Sequence, residues 1–277
     1  MSASTCFEMG VIGAGSMGAG LLRAWVGSGA LEPGQVAVWE VDSAKGQGLQ
    51  RELSVVPASG AEALLRRSAT VLLAVKPQTL PELLGPLRGG FRAEQLVISV
   101  AAGVNLARLR ELVGAGPALV RVMPNLLCTV GEGASAYCGS AEATEEQLAR
   151  VGDLFSRVGL ALRVRETEMD AVTGLSGSGP AFAALFCEAL ADGGVAAGLA
   201  RPVAQTLAAQ VLVGTGRWVL AQGSPAALKD QVASPGGTTI AGVAALEAGG
   251  LRAAAMRAVQ AAAERSAWLG RPTEESP

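Results

Sequence analysis

Short apolar runs alternate with segments of helical spacing from the start of the chain. Residues 9–12 form a continuous apolar run that stops at Gly13, the pattern of a strand buried on both faces. Residues 16–29 follow, with Leu21, Leu22, Trp25 and Val26 spaced to share one face of a helix. Strand-like runs recur at 36–41, 70–75, 96–100 and 118–122. They end at Asp42, at Lys76-Pro77, at Ala101-Ala102-Gly103 and at Met123-Pro124-Asn125. Helical segments are predicted over 61–67, 80–87 and 106–113, with a polar helix start after Asp42. Regular alternation of strand and helix predicts a parallel sheet with helices on both faces.

The pattern changes after a strand-like stretch at 160–164. Residues 180–198, 203–222 and 240–269 are predicted helices rich in Ala and Leu, with almost no strand signal between them. The domain boundary is placed near Val164, giving an α/β domain over 1–164 and an all-α domain over 165–277. The helical part is short for a self-sufficient core with so many Ala faces, so a second copy of the chain is expected to complete it. The uncharged stretch 171–187 contains Gly174, Gly177, Gly179 and Pro180 and is predicted to be a loop entering a helix, leaving no membrane span. The polar tail 271–277 is expected to be disordered.

Composition narrows the partners. The net charge is −2 and no basic block occurs, so nucleic acid is not expected as a partner. Only 17% of residues are charged, low for a monomer's surface, which again points to self-association. Cys6, Cys128, Cys138 and Cys187 form no C-x-x-C pair, so neither a zinc site nor a disulfide framework is signalled. Reduced thiols and the lack of a charged leader lead to an expectation of a cytoplasmic protein.

Gly13, Ala14, Gly15, Ser16, Met17 and Gly18 fit G-x-G-x-x-G. In a chain with 37 glycines the bare pattern means little, but here it lies between the first strand and the first helix. Gly13 permits the tight turn, Gly15 lets a pyrophosphate approach the backbone, and Gly18 lets helix and strand pack closely. The helix N-terminus offers free N–H groups and a positive dipole end to the phosphates. The site reads as a Rossmann dinucleotide site for NADH or NADPH. Glu40 ends the second strand, with Asp42 two positions on; a carboxylate there accepts from a ribose 2′-OH and repels a 2′-phosphate, which leans toward NADH. Lys45 is placed to offset that charge, and Glu40 is also readable as a solvated strand end.

The remaining chemistry is defined by what the chain lacks. It has no histidine, and its lysines are Lys45, Lys76 and Lys229. Tyr137 is the only tyrosine and has no lysine four positions on. Ketone reduction wants a general acid, because hydride transfer builds an alkoxide. A C=N bond protonates far more readily, so an iminium needs orientation and a mild hydrogen-bond partner. Residues 234–240 (S-P-G-G-T-T-I) form a Gly-rich approach to the last long helix, where backbone N–H groups suit a carboxylate and Thr238 and Thr239 offer hydroxyls. Plain N-capping is the competing reading of those threonines. A second Gly-rich stretch, 174–180 (G-L-S-G-S-G-P), is read as a loop before a helix, or as glycines that permit a close helix crossing.

With these motifs the chain resembles pyrroline-5-carboxylate reductase over essentially its whole length. The resemblance rests on 12–17 (I-G-A-G-S-M), 74–77 (A-V-K-P), 99–104 (S-V-A-A-G-V), 123–125 (M-P-N), 174–180 and 229–240 (K-D-Q-V-A-S-P-G-G-T-T-I). It implies the last step of proline biosynthesis and a helical domain, 165–277, that binds substrate and interlocks with a second subunit. Dimers of this family often assemble further into decamers. Ala14, Ser16, Met17, Val75, Lys76, Pro77, Ala101 and Ala102 should line the dinucleotide, with Gln231 reaching it too. Val232, Gly237, Thr238 and Thr239 should hold the substrate's carboxylate and ring nitrogen, with Thr239 donating to that nitrogen in a site shared within the interlocked dimer.

The chain departs from the family pattern in three places. Glu40 stands where NADPH-using relatives often carry Ser or Thr. Leu126-Leu127 replaces the usual Thr-Pro after M-P-N, and Gly60-Ala61 replaces a common Asn or Gln contact. Three rival functions remain: a β-hydroxyacid dehydrogenase, which would need a lysine that 180–201 lacks; a reductase of another cyclic imino acid; and a non-catalytic dinucleotide-binding protein.

Overall fold

The computed structural model describes residues 7–270. They form two compact units. One holds the described residues up to Ser178 together with those from Ala261 onward, and the other spans Gly179–Gln260.

The first unit is built on an eight-stranded sheet in the order β3-β2-β1-β4-β5-β6-β7-β8. Its strands are β1 (Phe7–Ile12), β2 (Val36–Trp39), β3 (Val56–Pro57), β4 (Ser68–Leu73), β5 (Leu96–Ser99), β6 (Ala118–Met123), β7 (Gly133–Gly139) and β8 (Gly159–Arg163). The helices between them are α1 (Ser16–Gly27), α2 (Ser43–Leu53), α3 (Ala61–Arg67), α4 (Leu80–Leu84), α5 (Leu106–Val113) and α6 (Glu145–Ser156). After β8 come α7 (Met169–Val172) and a π-helical turn, Thr173–Gly177.

Side-chain alternation divides the sheet into two cores. Leu72, Leu96, Ile98, Val120 and Val122 face Trp25 and Phe155, while Val71, Leu73, Val97 and Leu119 face Leu64, Leu65, Leu84 and Leu109. Trp25 and Phe155 meet edge to face at 5.2 Å, and the indole N–H donates to the Leu154 carbonyl at 3.0 Å.

Several elements differ from the pattern-based expectation. β7 runs antiparallel to β6, so the sheet is mixed rather than wholly parallel. The strand is G-A-S-A-Y-C-G, whose small residues give no apolar run. α6 lies outside the expected helices, although Thr144 and Gln147 form a reciprocal capping box at its start. β2 stops at Trp39, paired with Ile12, because β1 turns away at Gly13. Val41 is left 84% exposed. The stretch 174–180 is a π-turn running into a helix, not a loop.

The second unit contains α8 (Gly179–Ala196), α9 (Arg201–Gln222), α10 (Pro225–Val232), α11 (Thr238–Ala248) and most of α12 (Leu251–Leu269). The single helix expected over 240–269 is therefore two, broken at Gly249-Gly250, where Gly250 adopts φ +73°. Among the described residues its own buried core is Ala191, Ala204 and Ala208, where α8 and α9 approach closely. Large apolar side chains stay open on the same helices: Leu185 is 68% and Leu220 80% exposed. These faces fit a unit that packs against something else. Among the described residues no helix is long and apolar enough to cross a membrane. The expected disorder of 271–277 falls outside the described residues.

The last turns of α12 belong to the first unit. Ser266 donates to Asp170 Oδ1 at 2.7 Å, and the same carboxylate oxygen lies 3.7 Å from the buried Arg121 guanidinium. The Gly270 backbone passes so close to Gly103 that a Cβ on Gly270 would sit 2.4 Å from the Gly103 carbonyl.

Candidate active site

The parallel strands β1, β2, β4 and β5 end along one edge of the sheet, and every cofactor residue read from the first unit lies on the loops there or on the start of α1. Three backbone bonds hold those loops in register. Gly13 N–H donates to the Trp39 carbonyl at 2.9 Å, Ala74 N–H to that of Ile12 at 2.8 Å, and Val100 N–H to that of Leu73 at 3.1 Å. The strand order reverses between β1 and β4, the place where open α/β sheets bind ligands.

The glycines of the first turn differ in what they permit. Gly13 has φ +100°, which side chains disfavour, and a Cβ there would lie 2.7 Å from both the Ala74 carbonyl and Val75. A Cβ on Gly18 would stand 2.2 Å from the Gly13 carbonyl, so α1 lies against the strand end by backbone alone. Gly15 faces open space, with no atom within 4 Å of where its Cβ would be. It is the N-cap of α1, and no side chain caps that end. The N–H groups of the first turn are thus left for an anion. The donors and open space of this cradle, at Gly15, Ser16 and Met17, are of the kind a dinucleotide pyrophosphate requires.

Around the cradle, Ala14 and Ala101 are buried, Met17, Val75, Pro77 and Ala102 half-buried, and Ser16 and Lys76 less covered. Lys76 caps the short 3₁₀ turn Pro77–Thr79. Ser99 Oγ accepts from Ala101 N–H at 3.3 Å and shapes the loop after β5.

Glu40 is tied into the site. Its Oε2 accepts from Ala14 N–H at 2.6 Å and its Oε1 from Asp42 N–H at 3.1 Å. The carboxylate is held against the Gly-rich turn rather than waving from a strand end. Asp42 caps α2, and its carboxyl lies below the usual range because the Lys45 backbone N–H bonds to it. Lys45 Nζ pairs with Asp42 at 3.4 Å.

The second unit carries the other motif. Ser234 to Gly237 is a tight turn closed by Gly237 N–H donating to the Ser234 carbonyl at 3.0 Å, with Pro235 second and Gly236 at φ +67° third. α11 then starts at Thr238 with Gly237 as N-cap and no side-chain cap. Plain capping by the threonines is not what the geometry shows. The free N–H groups of Thr238, Thr239 and Ile240 share the helix start with two hydroxyls. Gln231 and Val232 lie exposed at the end of α10.

The buried thiols of Cys128 and Cys138 are poor candidates for chemistry. Burial pushes Cys138 up to about 11, with Glu166 adding to the shift, and burial raises Cys128 as well. No group of His, Cys, Asp and Glu that could hold a metal is found among the described residues.

One organising residue lies in the M-P-N motif, to which the sequence reading gave no role. Asn125 is buried; its Oδ1 accepts from Leu127 N–H at 3.1 Å and from Ala134 N–H at 3.3 Å, and its Nδ2 donates to the Ser176 carbonyl at 3.0 Å. The Leu127 bond is one that a proline at that position would not make. Gly60 caps α3 without a side-chain bond, so that place offers no polar side chain.

A Rossmann sheet with an open, uncapped Gly-rich turn defines a nicotinamide-dinucleotide oxidoreductase. Comparison with known proteins narrows the class. The family model for pyrroline-5-carboxylate reductase dimerisation matches residues 166–269, and that for NADP oxidoreductase, coenzyme F420-dependent, matches residues 8–103. Pyrroline-5-carboxylate reductases of Methanosarcina acetivorans and of Synechocystis sp. are each 44% identical to this chain, over 95% of it and 98% of the relative. A crystal structure of Plasmodium falciparum pyrroline carboxylate reductase with NADP bound superposes with a TM-score of 0.87 at 31% identity, covering 96% of this chain and 98% of that one. The chain belongs to the pyrroline-5-carboxylate reductase family.

Gly15→Ala separates ligand binding from folding. The space is open, so the melting temperature is expected to stay unchanged or rise slightly, while NADH affinity in a fluorescence titration falls about tenfold or more as the methyl blocks the pyrophosphate. Undiminished affinity would place the dinucleotide elsewhere.

Proposed function

We propose that this chain reduces 1-pyrroline-5-carboxylate to L-proline, using NAD(P)H as the hydride source. The observation that carries this reading is the uncapped start of α11, with free N–H groups and two hydroxyls, in a chain that has no histidine. Bound reduced nicotinamide supplies a hydride. Gly237, Thr238 and the N–H groups of the first α11 turn hold the carboxylate of the imino acid at the positive end of the helix. Val232 borders the ring. The substrate carbon accepts the hydride with its electron pair, the C=N π pair becomes the lone pair of the ring nitrogen, and the cationic charge disappears. As that lone pair forms, the Thr239 hydroxyl donates to the nitrogen and keeps the ring oriented, so no strong acid is required.

On the cofactor side, the first α1 turn takes the pyrophosphate, and Val75, Lys76, Pro77, Ala101 and Ala102 line the dinucleotide, with Gln231 as a further contact. The carboxylate of Glu40, held by two backbone N–H groups, accepts from a ribose 2′-OH and repels a 2′-phosphate, favouring NADH. The pairing of Lys45 with Asp42 supports the same preference, because that ammonium is already engaged. The functional division is proposed at Val164, with 165–277 as the dimerisation and substrate-binding part; the dimerisation match over 166–269 supports it. Two copies pair through this part, in the cytoplasm, and sedimentation velocity separates a dimer from a decamer.

Initial rates of NADH and NADPH oxidation by the full chain, with five- and six-membered cyclic imino acids, test the reading. Turnover of the five-membered ring is expected. Inertness toward both rings combined with ketone reduction would overturn it. Thr239→Val is expected to lower kcat by about ten- to a hundredfold with dinucleotide affinity nearly intact. A collapse of dinucleotide affinity instead would misplace the substrate loop. Glu40→Ser is expected to move the NADPH/NADH ratio of kcat/KM upward by about tenfold. An unchanged ratio would remove Glu40 from the ribose site.

A further inference from the structure

Two motifs remain outside the chemistry just described: M-P-N after β6 and G-L-S-G-S-G-P before α8. They lie against each other. Pro180 stands near the start of α8 and has no N–H, so the carbonyl four residues before it, that of Ser176, has no α-helical donor. The chain widens there into the π-turn Thr173–Gly177, in which Ser178 N–H reaches back five residues to the Thr173 carbonyl at 2.9 Å. Asn125 Nδ2 donates to the Ser176 carbonyl at 3.0 Å. The amide thus supplies the donor that the proline withholds.

A second contact joins the same two motifs. Gly177 is covered by Met123: a Cβ on this glycine would lie 2.5 Å from the Met123 Cε. The motif also reaches the cofactor helix. The 3₁₀ segment Leu126–Val130, capped by Asn125, packs on α1 so tightly that a Cβ on Gly20 would be 2.7 Å from the Thr129 methyl. Asn125 is 5% exposed and sits at the carboxyl end of β6, on the sheet edge that carries the dinucleotide loops.

We propose that Asn125 is a positioning residue, which replaces the donor missing at Pro180 and so fixes the π-turn, the M-P-N turn and the segment against α1 as one rigid wall beside the dinucleotide. It touches neither cofactor nor substrate in this role. The role rests on the imine-reductase reading only for its kinetic readout.

The test is a donor swap in the full chain. Asn125→Asp keeps an acceptor oxygen for Leu127 and Ala134 and replaces the donor to Ser176 with a carboxylate oxygen, which the carbonyl repels. Pro180→Ala gives the Ser176 carbonyl a backbone donor of its own. Asn125→Asp is expected to lower kcat with pyrroline-5-carboxylate by about tenfold while the dinucleotide KM changes less than about twofold. Adding Pro180→Ala is expected to recover at least about threefold of that loss, although Pro180→Ala alone changes the native chain less than about twofold. Melting temperatures of the four proteins should show the same non-additivity, with Pro180→Ala stabilising the chain that carries Asn125→Asp more than it stabilises the native one. Additive effects in both readouts, or a loss confined to dinucleotide KM, would overturn the proposal. If the native chain does not turn over imines, the functional reading fails, and the melting cycle alone still decides the donor swap.

Discussion

The first turn of α1 meets the end of β1 backbone to backbone. A side chain at Gly18 would press on the Gly13 carbonyl at 2.2 Å, and one at Gly13 on Ala74 and Val75 at 2.7 Å. This closeness brings the start of α1 onto the sheet edge, where its unpaired N–H groups face outward over Gly15. It also sets the loops after β2 and β4 one bond away, through Gly13 to Trp39 and Ala74 to Ile12. A larger residue at either glycine would lift α1, and the anion cradle and the Glu40 clamp on Ala14 would go with it.

The same device occurs in the second unit in a different form. α11 also begins without a side-chain cap, after a turn that needs Pro235 and Gly236. Both helix starts leave their donors unmet by any side chain, which a purely structural helix often avoids by a Ser, Thr, Asp or Asn cap. Four helices use such caps, Asp42, Asn105, Thr144 and Ser224 each accepting from a first-turn N–H, whereas α3, α4, α7 and α9 also begin without one. What sets α1 and α11 apart is the Gly-rich turn before each, and these are the places where the proposed function puts the pyrophosphate and the imino-acid carboxylate. In the proposed reading, backbone geometry supplies positive potential at both helix starts of a chain with no histidine, and the proton already on the electrophile does the work of a general acid.

Much of this was legible in the sequence. The central strands are largely apolar runs, and α3 and α5 keep the bounds their spacing indicates. The Gly-rich turn and Glu40 stood out because residue type and place agreed. Other elements were hidden for physical reasons. β7 consists of small residues that pair by backbone without an apolar stripe. α6 is signalled by its capping box and by Leu148, Val151 and Phe155, a pattern weaker than the charges around it. The π-turn cannot be read from glycines alone, since it depends on the missing N–H of Pro180 and on Asn125, which lies far from it in sequence. The bonds from Glu40 to Ala14 and Asp42 are likewise products of the fold.

The dependence of kcat/KM on pH, measured with two cyclic imino acids of different basicity, tests most directly whether the electrophile arrives as a cation. The alkaline limb is expected to move with the substrate, falling at a higher pH for the more basic imine, because the proton belongs to the ligand. A limb fixed at one pH for both substrates would mean that a group on the protein supplies that proton, and would contradict delivery of a preformed iminium.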